Sequence, residues 1–545
     1  MRSGLTCDSF NVLSMNGKDR LIFPYLNNFD LSRKDSMADF TREEIEEKLA
    51  EYAELIAARE EEDEFVDEPD EESEVPEEED TQETSEGEEP EEELEEKASE
   101  DSDEVEEEEE PSIENIFDGK DLSELDLSEL HFHGISLRNT NLTNTNLSDC
   151  NLTESNLDQA NLNQANLSNA NLENISCLEG LMTHANMEST NLQGAKLLGT
   201  DFSESNLERA NFRKSKAMET KLVKCNLIEA DFSNSDFSRA NLQDAKLTES
   251  DLSRARFNGA DFERADLTDS RLSMGVFFEA NFKSANLNRA LIKGAKLAGG
   301  NFTDARLTRA DITGADLTDA KFHNSDLSRC KLNGAILRRV DLKDSDLSEA
   351  DLNLADLTSA NLIGTKLTGA NLDRIKLNQA KLNGAKLSGA RMTKAKLAQV
   401  DLTQADLSGA NLTGAELNSA ILEGADLSRA DLTEAILKDA DMKNTFLVGA
   451  NIQKADMEGV NLEGADMAGA KLRGTKLQNA NLKQVDLRRT DLEHADFSKA
   501  NLSSANFTGA KMSEGLFIEA NLTGTNMDSA DTTDTQFQGA IGFKG

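Results

Sequence analysis

Tryptophan is absent from this chain of 545 residues, tyrosine occurs only twice, and aromatic residues make up 5%. Basic side chains are also scarce, 57 Lys and Arg against 105 Asp and Glu, which leaves a net charge of -48. A nucleic-acid binder needs a cationic face for phosphates and rings for stacking, so both shortages argue against direct contact with nucleic acid. So much charge with so few aromatics also predicts that part of the chain has no core and is disordered. No apolar run reaches eighteen residues, so no transmembrane helix is expected. The opening MRSGLTCDSFNVLSM lacks the continuous apolar stretch of a Sec signal, although the first sixty residues could carry an address read by another export route. Five cysteines make no disulfide framework. The expected location is therefore the reducing cytoplasm, without membrane contact.

What the chain has in abundance is a period of five. Length alone would suggest three or four domains, but from Leu122 to Phe537 a large apolar residue recurs at every fifth position, 84 times, and only Cys177, Ala217 and Thr532 depart from Leu, Phe, Met or Ile. Two residues before each lies a usually small one, such as Ala160, Ala165 or Ala170, and the residue between is mostly Asn, Asp or Lys. Neither the 3.6-residue period of a helix face nor the two-residue period of a half-buried strand fits. A four-sided coil fits, with five residues per side, the small and large residues inside and the other three facing solvent. Twenty residues then make one circuit, and about 21 circuits at about 4.8 Å each make a rod on the order of 100 Å long.

Units such as ADLSG at 405–409 and ANLTG at 410–414 resemble the pentapeptide repeat proteins, over residues 119–541. The resemblance implies an all-β fold, a right-handed quadrilateral β-helix of about 21 coils, here preceded by a short helix and a disordered acidic segment. It also implies binding, scaffolding or mimicry in place of catalysis. Stacking at a spacing of twenty predicts internal ladders of Phe262, Phe282, Phe302 and Phe322 on one face, and of Phe237, Phe257 and Phe277 on the next. Outside, Asn146, Asn166, Asn186, Asn206 and Asn226 should form one hydrogen-bonded column, and Asn151, Asn171, Asn191 and Asn211 another. The ends of such a coil expose strand edges and core. At the start the inward positions enlarge to Leu125, Leu130 and Ile135, which suggests a plug or docked segment. At the far end Phe497, Phe517 and Phe537 align beneath the GAIGFKG tail, an open end on which a second copy could stack.

Residues 1–59 form an N-terminal segment. Its apolar cluster LIFPYLNNF at 21–29 is either a docking motif or folds back on the first coil. Thr41 and Glu44 make a capping box for an amphipathic helix over about 42–59, whose stripe of Ile45, Leu49, Tyr52 and Ile56 should pack on a partner or on the coil. Residues 60–118 carry 35 acids and one base, Lys97. They read as a disordered linker, or as an acidic arm that occupies a basic surface. Residues 119–545 are the repeat.

No catalytic, cofactor or metal site is expected. The carboxylates of the repeat read as solvent-facing decoration, without the unequal environments that acid–base catalysis needs. His131 and His133 lie close together but lack a third ligand. Cys150, Cys225 and Cys330 fall at the small inward position, and Cys177 at a central one, as buried thiols. One surface feature exceeds the background. Between 361 and 400 lie Lys366, Arg374, Lys376, Lys381, Lys386, Arg391, Lys394 and Lys396, with Asp373 as the single acid. This basic belt is either a solvated face with flanking ion pairs, a partner site, or the docking place of the acidic arm.

The expected role is a non-catalytic rod-like scaffold for protein partners, whose identity the sequence does not give. FTREE at 40–44 is similar to segments preceding pentapeptide-repeat components beside bacterial contractile secretion systems. The alternatives are a DNA mimic acting on type II topoisomerase (gyrase) and a secreted effector. Mimicry fits poorly, because residues 1–118 hold 46 acids and 9 bases, or -37, and the rest only -11.

Overall fold

The structure, a computed structural model, describes residues 38–63 and 115–543. The apolar cluster at 21–29 and nearly all of the acidic run lie outside the described residues. One α-helix, α1 (Arg42–Asp63), precedes the repeat and runs four residues beyond the expected end. Its capping box forms as the sequence predicts. The Thr41 N–H donates to Glu44 Oε2 at 2.8 Å, and the Glu44 N–H to Thr41 Oγ1 at 3.3 Å. The first coil likewise begins earlier than expected, because Phe117 is already buried.

From Asp121 to Asn521 every fifth residue pairs in parallel with the residue twenty positions on, so four pentapeptides close one circuit and the predicted register holds throughout. The unit Asn141–Thr145 shows how the backbone satisfies itself. The Leu142 and Asn144 N–H groups donate up the stack to Asn161 and Asn163, at 2.7 and 3.0 Å. The Asn141 N–H donates down to Lys120 O at 2.9 Å, and the Thr145 N–H closes a β-turn on Leu142 O at 3.2 Å. The third residue of that turn, Asn144, has φ of 58°, the left-handed conformation that polar Asn and Asp tolerate well. The chain turns a corner at every unit by this device.

The inward residues are almost all fully buried, the central Leu or Phe together with the Ala before it. Phenylalanine stacks as predicted. Rings of Phe262, Phe282, Phe302 and Phe322 lie 4.8, 4.8 and 4.5 Å apart and within 7° of parallel. Phe237, Phe257 and Phe277 follow at 5.4 and 5.6 Å. A polar residue at the small position finds a carbonyl. Thr145 Oγ1 donates to Leu122 O at 2.8 Å, and the Cys150, Cys225 and Cys330 thiols do the same to Leu127, Phe202 and Leu307.

The docked segment suggested by the bulky Leu125, Leu130 and Ile135 is α1 with the residues before it. Ile45 is fully buried, and Phe40, Leu49 and Tyr52 pack on the same cluster. Polar groups there substitute for a missing coil. The Asp39 N–H donates to Asp121 O at 2.6 Å and its carboxylate accepts the Asp121 N–H at 2.7 Å. The Arg42 guanidinium donates to Asp126 O and Ser128 O at 2.9 and 3.1 Å. Those carbonyls are the ones that a preceding coil would engage, so one planar fork replaces two backbone donors. At the other end Phe543 stacks on Phe537 at 3.8 Å, extending the column of Phe497 and Phe517 into the tail.

Phe302→Ala, which opens a gap in the middle of a stacked column, should cost about 3–5 kcal/mol in denaturant unfolding. Arg42→Ala should leave the remote coils unchanged while amide exchange in coil 121–140 accelerates at least tenfold.

Candidate interaction surface

Each unit leaves one backbone N–H, that of the residue after the central one, without a backbone partner. In many units an Asn or Asp side chain two residues earlier supplies one. Asn141 Oδ1 accepts the Thr143 N–H at 3.3 Å, Asp231 Oδ1 the Ser233 N–H at 2.8 Å, and Asp406 Oδ1 the Ser408 N–H at 3.0 Å. These are Asx turns, and they explain why Asn or Asp dominates this position. The expectation that the acids are mere solvent-facing decoration is therefore corrected, since many of them cap the backbone.

Where that residue is not Asn or Asp, a second solution recurs. The Leu178 N–H, which follows Ser176, is taken by Asp158 Oδ1 at 2.9 Å, and the Thr183 N–H, which follows Leu181, by Asn163 Oδ1 at 2.9 Å. Asp373 does the same for Thr393 after Arg391, and Asn378 for Ala398 after Lys396. In each case the acceptor sits twenty residues earlier, on the coil below. Sequence reading missed this substitution, although an Asp or Asn twenty positions before an uncapped unit is visible in the sequence.

The same residues link coils to one another. Asn166, Asn186, Asn206 and Asn226 each donate from Nδ2 to the Asn twenty before, at 3.0, 2.9, 3.1 and 2.9 Å, and Asn191 and Asn211 do so at 2.8 and 2.9 Å. Arginines bridge coils in the same sense, Arg264 to Asp244 at 2.7 Å and Arg339 to Asp319 at 2.6 Å. Solvent screens each such exposed pair, so they contribute little individually.

The basic belt is a ring. Lys381, Lys386, Arg391 and Lys396 occupy the pairing position of all four sides of coil 381–400, which contains no acid. Arg391 reaches Asp373 at 2.5 Å, Lys366 reaches Asp346 at 3.4 Å, and Lys376 reaches Asp356 at 3.6 Å. Lys381, Lys386, Lys394, Lys396 and Arg374 make no ion pair within 4.0 Å among the described residues. Lys366 pairs in register with Lys386, and Lys376 with Lys396, so two like-charge rungs lie on opposite sides. The belt thus presents cations on all four sides; Arg391 is ion-paired, and Lys381, Lys386 and Lys396 stand in register with Asp401, Asp406 and Glu416 on the next coil.

Asp356 is the most engaged carboxylate near the belt. Its Oδ1 accepts from Thr358, and its Oδ2 from Arg338 Nε and Nη2 at 3.0 and 2.9 Å. Burial alone would raise its pKa, but the Thr358 and Arg338 bonds outweigh that and hold it below the usual carboxylate value. Asp201, Asp311, Asp346, Asp401 and Asp486 follow the same balance.

Burial pushes the Cys150 thiol up to about 11, and those of Cys177, Cys225 and Cys330 up to about 12, so none is poised as a nucleophile. His133 Nδ1 lies 2.7 Å from Thr153 Oγ1, and no His, Cys, Asp and Glu grouping suited to a metal occurs among the described residues. His131 and His133 instead border an apolar hollow of about 460 Å³ between α1 and the first coil, with Leu49, Tyr52 and Leu130. No described helix is long and apolar enough to cross a membrane.

The family model of pentapeptide repeats matches residues 145–176 and 185–541. Among solved structures, HetL of Nostoc sp. strain PCC 7120, involved in heterocyst differentiation regulation, is 30% identical. That match covers 44% of this chain and 89% of HetL, with a TM-score of 0.17. QnrB1, a plasmid-mediated fluoroquinolone resistance protein, is 24% identical over 29% of this chain and 89% of its own, with a TM-score of 0.19. A protein of the Arabidopsis thaliana thylakoid lumen is 31% identical over 21% and 68%, with a TM-score of 0.10. No curated protein is significantly similar.

Depressed carboxylate pKa values stabilise the fold above the unfolded value near 4, and that contribution is lost as pH falls through it toward the lower folded values. Unfolding free energy should therefore be flat between pH 7 and 5 and drop below about 4. Asp356→Asn keeps the Oδ1 acceptor and should remove its share of the acid sensitivity, whereas Asp356→Ala loses the cap as well and should cost about 1–2 kcal/mol at pH 7.

Proposed function

Because the chain belongs to the pentapeptide repeat family, we propose that it is a non-catalytic rod-like scaffold that holds protein partners at fixed separations along its length. The observation that carries this reading is the unbroken register. Backbone pairing repeats every twenty residues from Asp121 to Asn521, which suits rigid, multivalent lateral contact better than a single pocket. The raised thiol pKa values and the structural engagement of the carboxylates support the absence of catalysis. The cations of coil 381–400 that make no ion pair within 4.0 Å among the described residues support a partner contact at the belt. A cytoplasmic location, stacking of a second copy on the C-terminal end and membership of a bacterial secretion apparatus belong to the same proposal. The last rests on the FTREE segment alone.

Affinity purification with the full chain, crosslinked under native conditions, should recover at least two proteins contacting different coils. Supercoiling by gyrase should be unaffected at micromolar protein. Inhibition of gyrase, or crosslinks confined to one coil, would contradict the scaffold reading.

A further inference from the structure

Residues twenty apart stack, so the left-handed turn positions form four columns, one along each edge of the rod. Among the described residues, every non-glycine residue in this conformation is polar except two, Met274 at φ 60° and Leu354 at φ 61°. Both lie in the same column, four coils apart, and both are exposed, 62% and 55%. A large apolar side chain gains nothing locally at such a site, where Asn, Asp or Gly fits the backbone better and water surrounds it.

Their setting repeats the anomaly. The three positions between them in the column are Gly294, Gly314 and Gly334, which leave a floor without side chains. Met274 leans over that floor, its sulfur 2.7 Å from where a Cβ on Gly294 would stand. Leu291 and Ile336, 40% and 39% exposed, lie on the two sides that meet at this edge. Below the apolar stretch, Lys214, Lys216, Arg254 and Arg256 border a surface hollow of about 530 Å³ in which Asp236 is the single acid, and these four cations make no ion pair within 4.0 Å among the described residues. Above it stand Arg374 and Lys394 in the same column, with Lys376 and Lys396 beside them. From Asn174 to Gly414 no residue of this column is acidic, in a chain with 105 acids.

We propose that this edge is a docking strip for a helical protein segment with acidic ends and an apolar centre. Arg254 and Arg374 are six coils apart, about 29 Å, which a helix of about 19 residues spans. The apolar stripe of such a helix lies on the glycine floor between Met274 and Leu354, and its terminal carboxylates meet the two cationic clusters. Arg and Met at the contact, in a turn column without acids from Asn174 to Gly414, match the composition of interface centres. The strip rests on the reading of the rod as a protein-binding scaffold and names one of its partners by chemistry. It also assigns half of the belt, Arg374, Lys376, Lys394 and Lys396, to a single edge.

The test uses the full chain and a fluorescent 24-residue helical peptide with Glu in its first and last two turns and a Leu/Phe stripe between, followed by anisotropy. The peptide should bind, with affinity that falls as salt rises. Met274→Asp with Leu354→Asp, and separately Arg254→Glu with Arg374→Glu, should each weaken binding at least tenfold. Ser284→Asp with Gln404→Glu, on the opposite edge, should leave it unchanged. Asp suits the left-handed turn, so the first variant should keep its circular dichroism spectrum and thermal midpoint. No binding, equal binding by the edge variants, or equal binding of a peptide with acids central and Leu terminal would overturn the strip. So would loss of binding to phosphatidylserine vesicles in these variants, with peptide binding intact. Partners recovered equally by wild-type and edge-variant chains would sink the strip while leaving the scaffold reading standing.

Discussion

One backbone N–H in every five finds no backbone carbonyl, and the rod depends on how that donor is satisfied. The other four donors are settled by the stack and the turn, as in Asn141–Thr145. The fifth lies at a half-exposed corner, and in many units an Asn or Asp oxygen two residues back, or twenty residues back on the coil below, takes it. This requirement ties the outside of the rod to its inside. The side chain that caps the corner is adjacent to the central Leu, so a slip of one residue would misplace core and cap together.

That coupling explains what could be read from residues alone. The period of five, the inward ladders from Phe237 to Phe322 and the Asn columns follow from identity at fixed spacing; the ladders and the column from Asn146 to Asn226 appear as expected, and the second column is hydrogen-bonded from Asn171 to Asn211. The docked start was legible as an anomaly in Leu125, Leu130 and Ile135, but its chemistry was not. Nothing in the one-dimensional pattern says that the Arg42 guanidinium will stand in for the donors of an absent coil. The capping acids were misread because a carboxylate on an exposed turn looks the same whether or not it accepts a backbone N–H. The candidate surface was half legible. The belt at 361–400 shows as a run of cations, whereas the edge joining Arg254 to Arg374 is scattered over more than a hundred residues and emerges only when the coil is closed.

Function in such a molecule is decided outside the core. The inside of the rod is occupied by stacked Leu, Ala and Phe, and its buried thiols and engaged carboxylates are held in structural roles. Each edge can differ from the others without disturbing the core, because the turn position accepts Glu, Gln, Asn, Asp, Arg, Lys, Ser, His or Gly. Departures from polarity at that position, as at Met274 and Leu354, are therefore informative in a way that a buried Leu is not.

The capping requirement is tested most directly by amide exchange at two residues in one column. Ser408 follows Asp406, whose Oδ1 accepts its N–H at 3.0 Å. Ser388, one coil below, follows Lys386, which has no acceptor to offer. Both occupy the same place in the turn, so the account predicts exchange at Ser388 at least tenfold faster than at Ser408, with protection restored by Lys386→Asp. Equal exchange at the two amides, or no change in that variant, would contradict it.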